Sequence, residues 1–164
     1  MKKHLLTLAI VCLTIGSMNM FALDGKVYPG SMGVRWNSSD PVPALGWSAI
    51  FNPSTTKSLR VDLPVIHDVI AKTIRQGWVR VVDKHYTQGV RAQLCAVYKG
   101  CSTGFYGKCL ANKYSSGTSE CPKVLSFGAV GAGSTAHYYF SCTIPPVYSG
   151  QKSGIVSYFV EEYE

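Results

Sequence analysis

The residues of this chain best suited to proton transfer or metal binding are His67, Asp83, His85 and His137. Asp83 and His85 are two positions apart, so in a strand they project to one side, where a carboxylate orients an imidazole as an acid–base pair or behind a bound metal. Asp68, next to His67, adds a second carboxylate. A secreted hydrolase or metal-dependent enzyme using this cluster is the catalytic reading of the chain. Against it, Asp83 and His85 fall at the end of an apolar run, where such a pair caps a turn or faces water, and His137 sits beside Tyr138 and Tyr139 in a strand. There is no Gly-x-Ser-x-Gly elbow, no His-Glu-x-x-His and no phosphate-cradling glycine loop. No catalytic residue, cofactor or metal is therefore expected.

Binding is better provided for. The chain holds ten Tyr and three Trp, and Phe105, Tyr106, Tyr114 and Tyr148 fall in segments that read as exposed loops. Rigid rings on loops stack on sugar faces or anchor a protein at small entropic cost. The preferred reading is a secreted binding or interaction module for a surface glycan or a protein, with Phe105 and Tyr106 as its first contact point.

Lys2 and Lys3 precede an apolar run at 5–15, then Gly16-Ser17 and the small residue Ala22, which is the layout of a secretory signal peptide. Residues 1–22 are expected to be removed, leaving a secreted or periplasmic domain at 23–164. The apolar run is short for a membrane span and no second one follows, so no transmembrane segment is expected. Two of the 16 basic residues lie in the leader, which leaves 14 against 9 acidic ones and a mature charge of +5. They are spread singly from Lys26 to Lys152. A field this dispersed is no nucleic-acid footprint, and nucleic acid is not an expected partner. Glu161, Glu162 and Glu164 read as a solvated end.

Cys12 falls in the leader, so five of the six cysteines remain: Cys95, Cys101, Cys109, Cys121 and Cys142. Export permits disulfides, and their connectivity stays open. A bridge inside 101–121 is preferred, because that Gly-, Ser- and Lys-rich stretch has little apolar area to hold it. The odd cysteine leaves a thiol able to join two copies as a dimer. The spacings fit no zinc site.

The stretch that must position these residues is 77–98. Trp78-Val79-Arg80-Val81-Val82 is β-type in composition, and Val90, Ala92, Leu94, Ala96 and Tyr98 alternate as one apolar face. Thr87-Gln88-Gly89 between them reads as a hairpin turn. Before it, 59–63 alternates as a strand, and the spacing of Val65, Ile66, Val69, Ile70 and Ile74 suggests a short helix over 65–76 ended by Gly77, with a strand as the alternative. After it come a cysteine-rich loop at 100–122 and strands over 124–129, 135–144 and 155–160. About nine short strands with turn signals between them predict an all-β fold, a single-domain antiparallel β-sandwich, jelly-roll-like, with at most one short helix.

Tyr28-Pro29-Gly30-Ser31-Met32-x-Val34-Arg35-Trp36, together with Asn52-Pro53-Ser54, Val61-Asp62-x-Pro64-Val65, Trp78-Val79-Arg80-Val81 and the run from His137-Tyr138-Tyr139 to Ile144-Pro145-Pro146, resembles a group of small exported bacterial proteins without an assigned function. The resemblance covers most of 23–164. It implies cysteines in the group where this chain has Gly33 and Leu63, and it transfers no activity.

Overall fold

β-branched and aromatic side chains at every second position make strands of this chain, because they fill a pleated surface whose two faces alternate. The computed structural model describes residues 24–66, 73–100, 104–119, 121–131 and 136–163. The expected leader at 1–22, His67, Asp68 and Cys101 lie outside the described residues. Twelve strands are found among them: β1 (Asp24–Pro29), β2 (Val34–Arg35), β3 (Ala44–Gly46), β4 (Ala49–Phe51), β5 (Leu59–Pro64), β6 (Ile74–Val82), β7 (Arg91–Gly100), β8 (Gly104–Cys109), β9 (Lys113–Tyr114), β10 (Lys123–Phe127), β11 (His137–Ile144) and β12 (Gly154–Glu162). The first sheet runs β10-β6-β12-β4-β3, with β1 also on β12, and the second runs β2-β5-β11-β7-β8, with β9 also on β7. The chain is thus the antiparallel β-sandwich its pattern predicts. The one helical element among the described residues is a 3-10 turn, Gly30–Met32.

The inner faces meet in an aromatic cluster. Phe140 of β11 packs on Phe127 (ring centroids 5.6 Å apart) and edge-on to Tyr158 of β12 (5.9 Å), which stacks on Tyr28 of β1 (5.0 Å). The buried phenol of Tyr158 donates to the Pro64 carbonyl of the opposite sheet at 2.6 Å, so the largest core side chain also ties the two layers. At Gly77 the layers touch: a Cβ there would lie 2.8 Å from Phe140 Cζ. Gly33 packs on Leu63, with a Cβ placed 2.9 Å from Leu63 Cδ2.

Four sequence expectations are corrected. β6 and β7 do not form a hairpin, since β6 lies between β10 and β12 in the first sheet and β7 between β11 and β8/β9 in the second. With both edges of each strand occupied, 83–90 has to cross the sandwich. Of the segment 65–76, expected as a short helix with a strand as the alternative, 67–72 lie outside the described residues and its end from Ile74 is strand β6. The supposed loop at 100–122 contains β8 and β9, and its bridge is Cys95–Cys109, between directly opposed residues of β7 and β8, rather than one inside 101–121. Glu161 and Glu162 are buried, not solvated: Glu161 accepts from Gln76 and Arg75, and Glu162 from Lys26.

The crossing at 83–90 is held from inside. Val79, Val81, Asp83 and His85 share the inward side of β6 and its continuation, and all four are buried. Asp83 Oδ2 accepts the Ser115 hydroxyl at 2.5 Å, and Oδ1 accepts the His85 backbone N–H at 3.1 Å and the Ser153 hydroxyl at 3.5 Å. Ser115 Oγ in turn accepts the Val90 N–H at 2.7 Å, and the Ser115 N–H donates to the Val90 carbonyl at 2.9 Å. Gly89 fits here because a Cβ would sit 2.0 Å from the Ser115 carbonyl oxygen. Ser115→Ala deprives Asp83 of a donor and the Val90 N–H of an acceptor. The expected cost is about 2 kcal/mol of unfolding free energy in urea, against no measurable change for the exposed neighbour Ser116→Ala.

Candidate functional site

β5, β11, β7 and β9 are far apart in sequence and adjacent in the second sheet. Their register aligns Arg60 with Thr143, Thr143 with Arg91, and Arg91 with Tyr114. Directly opposed residues share a face, so these four side chains form one row across the sheet, about 14 Å long at the usual strand spacing. Their neighbours Val61, Ala92, Cys142 and Ile144 are buried inward, which leaves the row on the outer face. With Ser58, Gln88, Gly89 and Pro145 it lines a cleft of about 480 Å³.

The cleft is polar and incompletely satisfied. Arg60 donates from Nε and Nη2 to Asp40 Oδ1, each at 3.3 Å. Arg91 Nε and Thr143 Oγ1 are buried and have no hydrogen-bond partner among the described residues, although such groups are normally paired. Tyr114 stands at the β9 end with 61% of its surface exposed. The buried Asp83–Ser115 link sets this edge, since Ser115 follows Tyr114 and is bonded to Val90, the residue before Arg91.

The next row outward is Asp62, Ser141 and Gln93. Burial pushes the Asp62 carboxyl above its ordinary 3.8, opposed by a hydrogen bond from Ser141, and Oδ1 has no partner. Burial, and then the Asp62 charge, raise the Tyr139 phenol as well. Gln93 Nε2 donates to the Leu110 carbonyl at 2.7 Å, fixing the approach to β9.

Of the four aromatic residues singled out in the sequence, Tyr114 lies in the cleft. Tyr148 sits in the turn after β11 with its ring on His85, centroids 4.9 Å apart. Phe105 and Tyr106 are in β8 opposite Lys99 and Tyr98, and Tyr98 is seven positions along β7 from Arg91, about 23 Å at the rise of a strand. Of the His/Asp cluster, His67 lies outside the described residues, and the rings of His85 and His137 are not brought together. His85 Nδ1 accepts the Thr87 and Gln88 N–H groups at 3.3 and 3.0 Å, which makes it a turn cap and places its proton on Nε2. Asp83 receives the His85 backbone, not its ring. His137 is exposed opposite Val97, about 20 Å along β7 from Arg91. Among the described residues no three His, Cys, Asp or Glu are placed to hold a metal ion. Cys121 is exposed and free, and Cys142 is buried and free, its thiol pushed up mainly by burial.

Sequence reasoning missed Arg60, Arg91, Thr143 and Gln88. Their one visible signal was placement on the polar side of alternating strands, which also describes any solvated residue.

No family model matches the chain, and no curated protein matches it. Among solved structures it is similar to the low-affinity xylan binding module CBM86 from Roseburia intestinalis, at 13% identity over 85% of this chain and 96% of that one, with a TM-score of 0.49. A second similarity is to TmCBM61 in complex with β-1,4-galactotriose, at 13% identity over 93% and 94% of the two chains, TM-score 0.43. A third is to the infectious bursal disease virus Gx strain, at 9% identity over 87% of this chain and 32% of that one, TM-score 0.38.

The raised Asp62 carboxyl gives a pH prediction. A folded-state pKa above 3.8 means that the native protein holds this proton more tightly than the unfolded chain does. The ionised group therefore subtracts stability above its folded pKa, and the deficit disappears as pH falls through the unfolded value. Asp62→Asn is expected to raise Tm by a few degrees at neutral pH, with the gain gone by about pH 3. Thermal melts across that range check it.

Proposed function

We propose that this protein is a non-catalytic binding module that takes a glycan across the outer face of its second sheet. The observation that carries this reading is the Arg60–Thr143–Arg91–Tyr114 row, in which two buried polar atoms, Arg91 Nε and Thr143 Oγ1, have no partner among the described residues. A saccharide brings both acceptors and donors for such atoms, and the exposed Tyr114 ring offers its apolar face a stacking surface. The cleft is open and elongated, as an extended chain of sugars requires, and His137 lies toward the other end of β7.

A protein partner is the second reading, favoured by a different edge. Trp47 at the tip of the β3–β4 hairpin is fully exposed, and both turn residues have positive φ, 51° for Trp47 and 64° for Ser48. Turns of this kind prefer Asn-Gly, so the bulky ring is held at a conformational cost of roughly 1–3 kcal/mol. Val34, Trp36, Val42 and Leu45, in the same part of the chain, are exposed too.

The two readings separate in one experiment, retention of Tyr114→Ala and Trp47→Ala on cell surfaces before and after protease shaving. The glycan reading expects the wild type to survive shaving and Tyr114→Ala to lose affinity about tenfold, with Trp47→Ala and Tyr148→Ala unchanged. Retention lost on shaving and in Trp47→Ala, with Tyr114→Ala intact, contradicts it and supports the protein partner.

A further inference from the structure

Granting the glycan-binding reading on which this step rests, we infer that the saccharide bound in the cleft carries a carboxylate, as a uronic acid residue does, and that this group is seated between Arg91 and Thr143.

The two arginines of the row differ in what they lack. Arg60 already has an anion in Asp40. Arg91 has no ion-pair partner among the described residues, and its Nε–H is both buried and unbonded. An unpaired buried N–H on a permanent cation is among the most expensive polar groups to leave unsatisfied. The adjacent unsatisfied atom is a hydroxyl oxygen on the directly opposed residue, Thr143, about 5 Å away across the sheet at the backbone. A guanidinium N–H and a hydroxyl carried at directly opposed positions of neighbouring strands match one acceptor with several lone pairs and a negative charge. A carboxylate has both, and its hydrogen bonds to a guanidinium are roughly twice as strong as those of a neutral hydroxyl.

The rest of the face agrees. The other titratable groups near the row are Arg60 with its partner Asp40, Tyr114, Asp62 one row away and Tyr139 two rows away. Of the two carboxyls, Asp40 is held by Arg60 and Asp62 lies one row along the sheet, opposite Ser141, so neither is paired with Arg91. Tyr114 borders Arg91 on the side away from Thr143, so a sugar ring stacked there places a substituent over the Arg91 side chain. Gln88 and Ser58 supply neutral polar groups at the rim for the remaining hydroxyls.

The test is calorimetric titration of the whole exported chain with a tri-uronate, its fully methyl-esterified form, the neutral trisaccharide of the same linkage, and sodium acetate. The expected result is that the tri-uronate binds at least tenfold more tightly than its ester. That preference weakens with added salt and is lost in Arg91→Gln, while binding of the neutral trisaccharide is unchanged in that variant. Arg91→Lys, which keeps the charge and loses Nε–H, retains part of the preference. Thermal melts of both variants verify that they fold.

Equal binding of acid and ester by the wild type overturns the carboxylate inference and leaves the glycan module standing. Binding of none of the three oligosaccharides fails the module reading and this inference together. Acetate bound as tightly as the tri-uronate, with the same Arg91 dependence, overturns the saccharide part and points to a small organic anion. A preference that survives Arg91→Gln overturns the assignment of the seat.

Discussion

Asp83 is completely buried, and its acceptor oxygens are occupied by a hydroxyl from β9's flank, a hydroxyl from the start of β12 and a backbone N–H of its own turn. That convergence is the constraint on which the rest of the outer face depends. A chain leaving one sheet for the other has to carry backbone polar groups through the interior, and each one left unpaired costs about as much as a lost hydrogen bond. Here the carboxylate, Ser115, Ser153 and the His85 ring absorb them. The crossing strand end, β9 and β12 are thereby fixed to one another, and the position of Tyr114 beside Arg91 follows.

The interior network and the outer cleft are opposites in their hydrogen bonding. Inside, the Asp83 oxygens and Ser115 Oγ all find partners, as buried polar groups must if they are to support a unique fold. On the outer face, Arg91 Nε, Thr143 Oγ1 and Asp62 Oδ1 are buried without one among the described residues. The demand met fully around Asp83 is left open in the residues Arg91 and Thr143 that line the cleft. The Cys95–Cys109 bridge and the Gln93–Leu110 bond hold the segment leading to β9, so the unsatisfied row rests on a stiff edge.

The sandwich was legible in the sequence because period-two alternation is local: Leu59-x-Val61-x-Leu63 and Val90-x-Ala92-x-Leu94-x-Ala96 are buried as their spacing says. Sheet membership was not. Thr87-Gln88-Gly89 has hairpin composition, and only the occupied edges of β6 and β7 forbid the hairpin. The pairing of Asp83 and His85 on one side of the chain was read correctly and their chemistry was open, because the partner that decides it, Ser115, lies 32 positions away. The cleft was the least visible feature. Arg60, Arg91, Tyr114 and Thr143 come from four strands, and only the register of the folded sheet brings them into one row, whereas Phe105 and Tyr106, conspicuous in sequence, belong to the other end of β7.

The central claim is that the ligand lies along this row with Arg91 Nε–H and Thr143 as its anchors. An NMR titration of isotopically labelled protein with a uronic-acid oligosaccharide reads it directly, because the arginine Nε–H has its own resonance. The account predicts that the Arg91 Nε–H signal shifts and becomes protected from exchange, with the largest accompanying changes at Thr143, Tyr114 and Gln88. Changes centred on Phe105 and Tyr106 or on Trp47, with the Arg91 Nε–H signal unmoved, would contradict it.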